Sequence, residues 1–162
     1  MSENLSLDAF DRRILDWLHA EGRITITELA HRVGLSKTPC LTRVRRLEKA
    51  GYILGYSAVL NTRKLGRDHV AFVEVKLTDT REAALRRFNA EVRAVPEIEE
   101  CHMIAGGYDY LLKVRSHDIN AYRRLLGERI SSLPHVAQTS THVAMETVKD
   151  GGREGDGPVE AR

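Results

Sequence analysis

Apolar positions follow a helical spacing in the first third of the chain and an alternating one further on. Leu7, Ile14, Leu15 and Leu18, with Trp17 beside them, fall on one side of a helix that opens at Asp8. Asp8 can cap that helix, and Asp11 stands three residues on, where a carboxylate bonds back; Gly22 ends it. Leu29, Ala30 and Val33 line a second, short helix, which Thr27 is expected to cap and Gly34 to turn. A third helix starts at a Ser36 cap with Pro39 in its first turn, points Cys40, Val44 and Leu47 inward and closes at Gly51. Ala30 and Gly34 are small where two crossing helices nearly touch, and Cys40 fills the facing position. This is the pattern of a helix-turn-helix reader of double-stranded DNA.

The later pattern is different. Residues 52–60 alternate loosely, as a small β wing or an extended linker would, and residues 61–68 with Gly66 form a boundary. Residues 70–77 are β-branched and alternate from Phe72 on, which predicts a strand. Residues 82–95 read as a helix stopped by Pro96, with Ala84, Leu85, Phe88 and Val92 inward. Residues 98–105 and 109–115 read as strands around Gly106-Gly107-Tyr108. Residues 118–132 form a second helix, ended by Pro134, and residues 136–148 a last strand. The resulting order βαββαβ predicts an α+β, ferredoxin-like domain. Both helices on one sheet face leave the other open, which favours pairing with a second copy. The expected division is residues 1–52 for DNA binding, 53–68 for wing or linker and 69–149 for ligand binding and oligomerisation. Residues 150–162, rich in Gly and charge, form a disordered tail.

The chain has 162 residues, 42% hydrophobic and 30% charged, which suits a soluble globular protein. A net charge of +2 does not mark a nucleic-acid binder, but its distribution does. Between Ser36 and Ala50 five Lys or Arg stand against Glu48 alone, a local +4 on one helix. The candidate DNA contacts are Ser36, Lys37, Thr38, Pro39, Thr42, Arg43, Arg45 and Arg46. Arginine presents a planar fork to a guanine edge or a phosphate, and three arginines cannot all be buried unpaired. The plainer alternatives are a solvated helix face, a simple Ser36 cap and a Thr42 turned to water.

No apolar run approaches the ~20 residues of a membrane span, and the N-terminal residues lack a signal peptide's basic and apolar regions, so a cytoplasmic location is expected. Cys40 and Cys101 form no CxxC and read as reduced packing residues. Cys101 and His102 point to opposite faces of a strand, which argues against a shared metal. No GxSxG, P-loop, Rossmann fingerprint or ligand cluster occurs, so neither an enzyme nor a bound cofactor is expected. The paired aromatics of an RNA-recognition sheet are absent as well.

The run from Gly34 to Tyr56, GLSKTPCLTRVRRLEKAGYILGY, resembles the Lrp/AsnC class of regulators, named for the leucine-responsive regulatory protein. So do ECHMIAGGYDYLLK, from Glu100 to Lys113, and AYRRLLGE, from Ala121 to Glu128. The stretches DHVAFVEVKL from Asp68 and STHVAMETVK from Ser140 are most similar to the proline-utilisation regulators of that class. The resemblance spans residues 7–149. It implies a winged helix-turn-helix followed by an ACT-like effector domain. It also implies homodimers that assemble into octamers or other multiples, and a small amino acid effector, proline or leucine-like. For the subgroup it implies activation of proline dehydrogenase expression.

By themselves Gly106, Gly107, Tyr108 and Asp109 are an ordinary hairpin turn. Exposed glycine amides can also hold a carboxylate while Asp109 pairs with an ammonium. The resemblance places the effector at this loop, with Ser140, Thr141 and His142 nearby, though those three also read as an alternating edge strand. Met103, Ile104 and Ile119 are candidates for the side-chain pocket or for the core. The competing reading is an architectural DNA binder that needs no ligand.

Overall fold

A computed structural model describes residues 6–150 and the backbone of Arg153–Glu154. The chain divides into two compact units between Val59 and Leu60.

The first unit holds α1 (Ala9–Ala20), α2 (Ile26–Val33) and α3 (Lys37–Lys49). Their core is Ile14, Leu29, Ala30, Val33, Cys40, Val44 and Leu47. Asp8 caps α1 in the expected capping box with Asp11. The cap of α2 is Thr25 rather than Thr27. Its backbone is extended and its Oγ1 accepts from the Glu28 amide at 3.2 Å, so the helix starts before Thr27. Gly34 ends α2 in the left-handed region at φ 77°, a conformation that is costly for a residue with a Cβ. Residues 53–60, read from sequence as a wing or a linker, form neither helix nor strand.

The second unit holds β1 (His69–Leu77), α4 (Glu82–Val92), β2 (Ile98–Met103), β3 (Tyr110–Ser116), α5 (Ile119–Leu125) and β4 (Val136–Val143). The sheet is antiparallel in the order β2-β3-β1-β4, the ferredoxin-like arrangement. Ala71, Val73, Val75 and Leu77 share a face with Tyr110, Leu112 and Val114, and α4 and α5 cover it with Phe88, Val92, Tyr122 and Leu125. Phe72, Glu74, Leu111 and Lys113 lie on the other face, which no helix covers among the described residues. Residues 118–132 are not one regular helix. After Leu125 the coil widens into a π turn over Leu126–Ile130, closed by the Ser131 amide on the Leu126 carbonyl at 2.8 Å.

The tail departs from expectation where it begins. Lys149–Asp150 pairs with Arg153–Glu154, and Asp150 accepts from Arg115 Nη2 at 2.7 Å. The remainder of the expected tail, residues 151–152 and 155–162, lies outside the described residues.

His135 adopts φ 65° without being glycine. The left-handed backbone costs an L residue about 1–2 kcal/mol, and glycine returns about 0.5–1 kcal/mol of that as chain entropy. Its carbonyl accepts from the Thr78 amide and hydroxyl, bonds a glycine retains. His135→Gly should therefore stabilise the fold by about 0.5–1 kcal/mol in urea unfolding. A lowered midpoint would show that the imidazole makes a contact worth more than the strain.

Candidate DNA-binding and effector-binding sites

Helix α3 sorts its side chains by angle. Cys40, Val44 and Leu47 are buried, so the opposite side carries Thr38, Thr42, Arg45 and Lys49, all exposed, at spacings of four, three and four residues. Lys37 and Pro39 are exposed at the helix start. Ser36 occupies the N-cap position with extended backbone, but its hydroxyl makes no capping bond. The hydroxyl and the first-turn amides at Lys37 and Thr38 therefore remain available to an anion. Thr42 Oγ1 donates to the Thr38 carbonyl at 3.1 Å.

The three arginines have different environments. Arg45 makes no hydrogen bond or ion pair among the described residues. Arg43 lies back on α1, donating Nη1 to Asp8 Oδ2 at 2.7 Å and Asp11 Oδ1 at 2.8 Å, with its guanidinium 5.5 Å from the Phe10 ring centre. Arg46 donates Nη2 to Asp11 Oδ2 at 2.6 Å. Of the three candidate arginines, Arg43 and Arg46 are thus paired within the protein, Arg43 with Asp8 and Asp11 and Arg46 with Asp11. The reason is Asp11, which is fully buried three residues before Ile14 and accepts from both. Sequence reasoning saw Asp11 only as half of a capping box. Its place on the inward face of α1 was the available signal. The Asp11 amide, and then the Arg43 guanidinium, hold the Asp8 carboxyl below the usual carboxylate range.

The candidate effector loop joins β2 to β3. Gly106 and Gly107 have no positive φ. A Cβ at Gly107 would meet nothing within 4 Å, and one at Gly106 only Ile104 Cγ2 at 3.7 Å. Neither turn geometry nor packing within this chain requires glycine there. Asp109 is already engaged: its Oδ2 accepts from the Leu77 amide at 2.7 Å and its Oδ1 lies 3.4 Å from Lys76 Nζ. It ties the loop to β1. Met103 is exposed and Tyr108 half-buried.

The β4 residues do not gather around this loop. Val75 stands opposite both Tyr110 and Thr139, so Thr139 is level with the loop end of β3. His142 lies three residues further, roughly 10 Å along the strand, with β1 intervening. Ser140 and His142 share the open face, where His142 Nε2 is 3.3 Å from Glu74 Oε1. Thr141 points to the helices, 2.6 Å from the Tyr122 hydroxyl. Ile119 is exposed and Ile104 half-buried, so neither is core.

On the open face Arg115, 4% exposed, binds Glu99, Asp150, the Thr62 hydroxyl and the Arg67 carbonyl. Burial works against its charge, and the Glu99 and Asp150 carboxylates outweigh it. This hub fastens residues 62–67 to the sheet. Among the described residues no group of His, Cys, Asp or Glu could hold a metal, and no helix is long and apolar enough to cross a membrane.

Comparison with known proteins agrees with both units. The family profile described as winged helix-turn-helix DNA-binding matches residues 7–53, and the one described as Lrp/AsnC ligand binding domain matches residues 70–154. The chain is 62% identical to a proline dehydrogenase transcriptional activator of Rhizobium radiobacter, covering 90% of this chain and 94% of the relative. It is 50% identical to the leucine-responsive regulatory protein of Salmonella typhimurium, covering 91% and 90%. A transcriptional regulator of Neisseria meningitidis, solved in complex with L-methionine, superposes with a TM-score of 0.83 at 33% identity over 90% of this chain and 94% of that one. With both profiles matched in order over the two units that fold as described, the chain belongs to the Lrp/AsnC family of DNA-binding transcriptional regulators.

Proposed function

We propose that this regulator reads DNA with α3 and activates transcription of a proline dehydrogenase gene in response to proline. The observation that carries the DNA half is the stripe Thr38, Thr42, Arg45 and Lys49, which faces away from the core. A helix presented in this way fits the major groove, with Ser36, Lys37, Thr38 and Pro39 leading. Arg45 supplies the free guanidinium, the side chain best suited to a guanine edge.

The effector half rests on the loop at Gly106 and Gly107, whose open backbone suits a carboxylate, and on two relatives, 62% and 61% identical, named as proline dehydrogenase activators. In this reading a neighbouring copy completes the pocket, because one chain keeps Ser140 and His142 away from the loop. Homodimers, and higher multiples up to octamers, would bring such surfaces together. Effector then favours one assembly, and that assembly sets where the α3 helices meet DNA. The resident compartment would be the cytoplasm, where the DNA is.

A thermal-shift panel of proline, leucine, methionine and unrelated amino acids tests this. At about 100 times its dissociation constant a specific effector adds about 2.7 kcal/mol of stability. Proline is expected to give the largest shift. A larger shift with leucine or methionine would replace proline as effector. No shift with any amino acid, alongside intact DNA binding, would favour the ligand-independent architectural reading.

A further inference from the structure

Asp11 is a carboxylate buried completely at the start of α1, yet both of its oxygens reach α3. Its Oδ1 takes Arg43, which Asp8 and the Phe10 ring hold from the other side. Its Oδ2 takes Arg46 through Nη2 alone. The Nε and Nη1 protons of Arg46 have no partner among the described residues, and its side chain is 43% exposed. Arg46 is four residues after Thr42 and three before Lys49, so it borders the outward stripe of α3.

An arginine held by one nitrogen against a buried carboxylate is stiff, and its remaining donors point in a fixed direction. A flexible arginine loses rotamer freedom when it grips a ligand; one already fixed loses less. We infer that Arg46 clasps a DNA phosphate at the edge of the groove and that Asp11 is the positioning residue that aims it. The ligand chemistry is a phosphodiester oxygen rather than a base edge, because Arg46 sits on the flank of the helix and not at the crest of its exposed face. The inference rests on α3 being the groove helix. Arg45→Ala tests that reading separately, through its effect on affinity for the preferred site.

The test uses the full-length protein and two duplexes, one selected in vitro by the wild type and one of unrelated sequence, titrated over a range of salt. Arg46→Ala should weaken both duplexes alike and reduce the slope of log affinity against log salt by about 0.9, the signature of one lost phosphate contact. Asp11→Asn gives the sharper result. Removing a negative charge beside DNA should tighten binding if charge alone mattered. Aiming predicts the opposite: a loss of about 3- to 10-fold and the same reduction in slope. Combining it with Arg46→Ala should bring no further loss of slope. Wild-type or tighter binding by a folded Asp11→Asn variant would overturn the positioning role. An unchanged salt slope in Arg46→Ala would overturn the phosphate contact. Arg46 is surface-exposed, so that second variant remains informative even if Asp11→Asn fails to fold.

Discussion

Phe88→Ala is expected to destabilise the second unit by about 3–5 kcal/mol, the usual cost of emptying a fully buried aromatic site. Phe88 is 0% exposed and its ring centre lies 4.4 Å from that of Tyr110 at an angle of 37°. It belongs to the inward stripe of α4 and meets the buried face of β3, so its loss removes both area and an aromatic pair. The surrounding Val73, Val75 and Leu112 are themselves fully buried, which limits how far the site can collapse. Hydrogen exchange should show lost protection in β1, β3 and α4, with α1 to α3 unaffected. Loss shared equally by both units would contradict the separation of their cores.

Arg45→Ala should cost about 1–3 kcal/mol in affinity for the preferred duplex and relax preference at one base position, as expected for a guanidinium on a base edge. Arg43→Ala should behave differently. Its guanidinium is occupied by Asp8 and Asp11, so its removal should appear first in the thermal stability of the first unit. The pair of variants, measured by fluorescence anisotropy at fixed salt, separates reading from scaffolding. Full specificity in Arg45→Ala would remove that residue from the interface.

Much of this was legible along the chain because it depends on local rules. Helix spacing gave the inward stripes of α1, α2 and α3, and alternation gave β1, with the βαββαβ order following from the sum. Gly34 at φ 77° is a case where a single residue type reports its backbone directly. Less was legible wherever two distant segments meet. Thr27 and Thr25 are both acceptable caps, and only the start of the helix chose between them. Helix 118–132 read as regular because periodicity cannot distinguish an α turn from the wider turn at Leu126–Ile130. A disordered tail followed from composition, yet Asp150 is fixed by Arg115 on β3.

The candidate sites divide in the same way. The basic run on α3 was visible as charge, but charge has no direction. Three arginines within four positions looked equivalent until Asp11, 32 and 35 residues away in sequence, took two of them. The loop at Gly106 was visible as a motif. That Asp109 already bonds the Leu77 amide, and that His142 lies off along β4, were matters of strand register.

Sequence alone determined the main helices and strands, their order and the family resemblance, because periodicity, caps and turn residues act over a few neighbours. Tertiary structure decided which charges are free and which serve the fold. A carboxylate buried beside two guanidiniums is settled by burial and geometry, and neither exists until the helices pack.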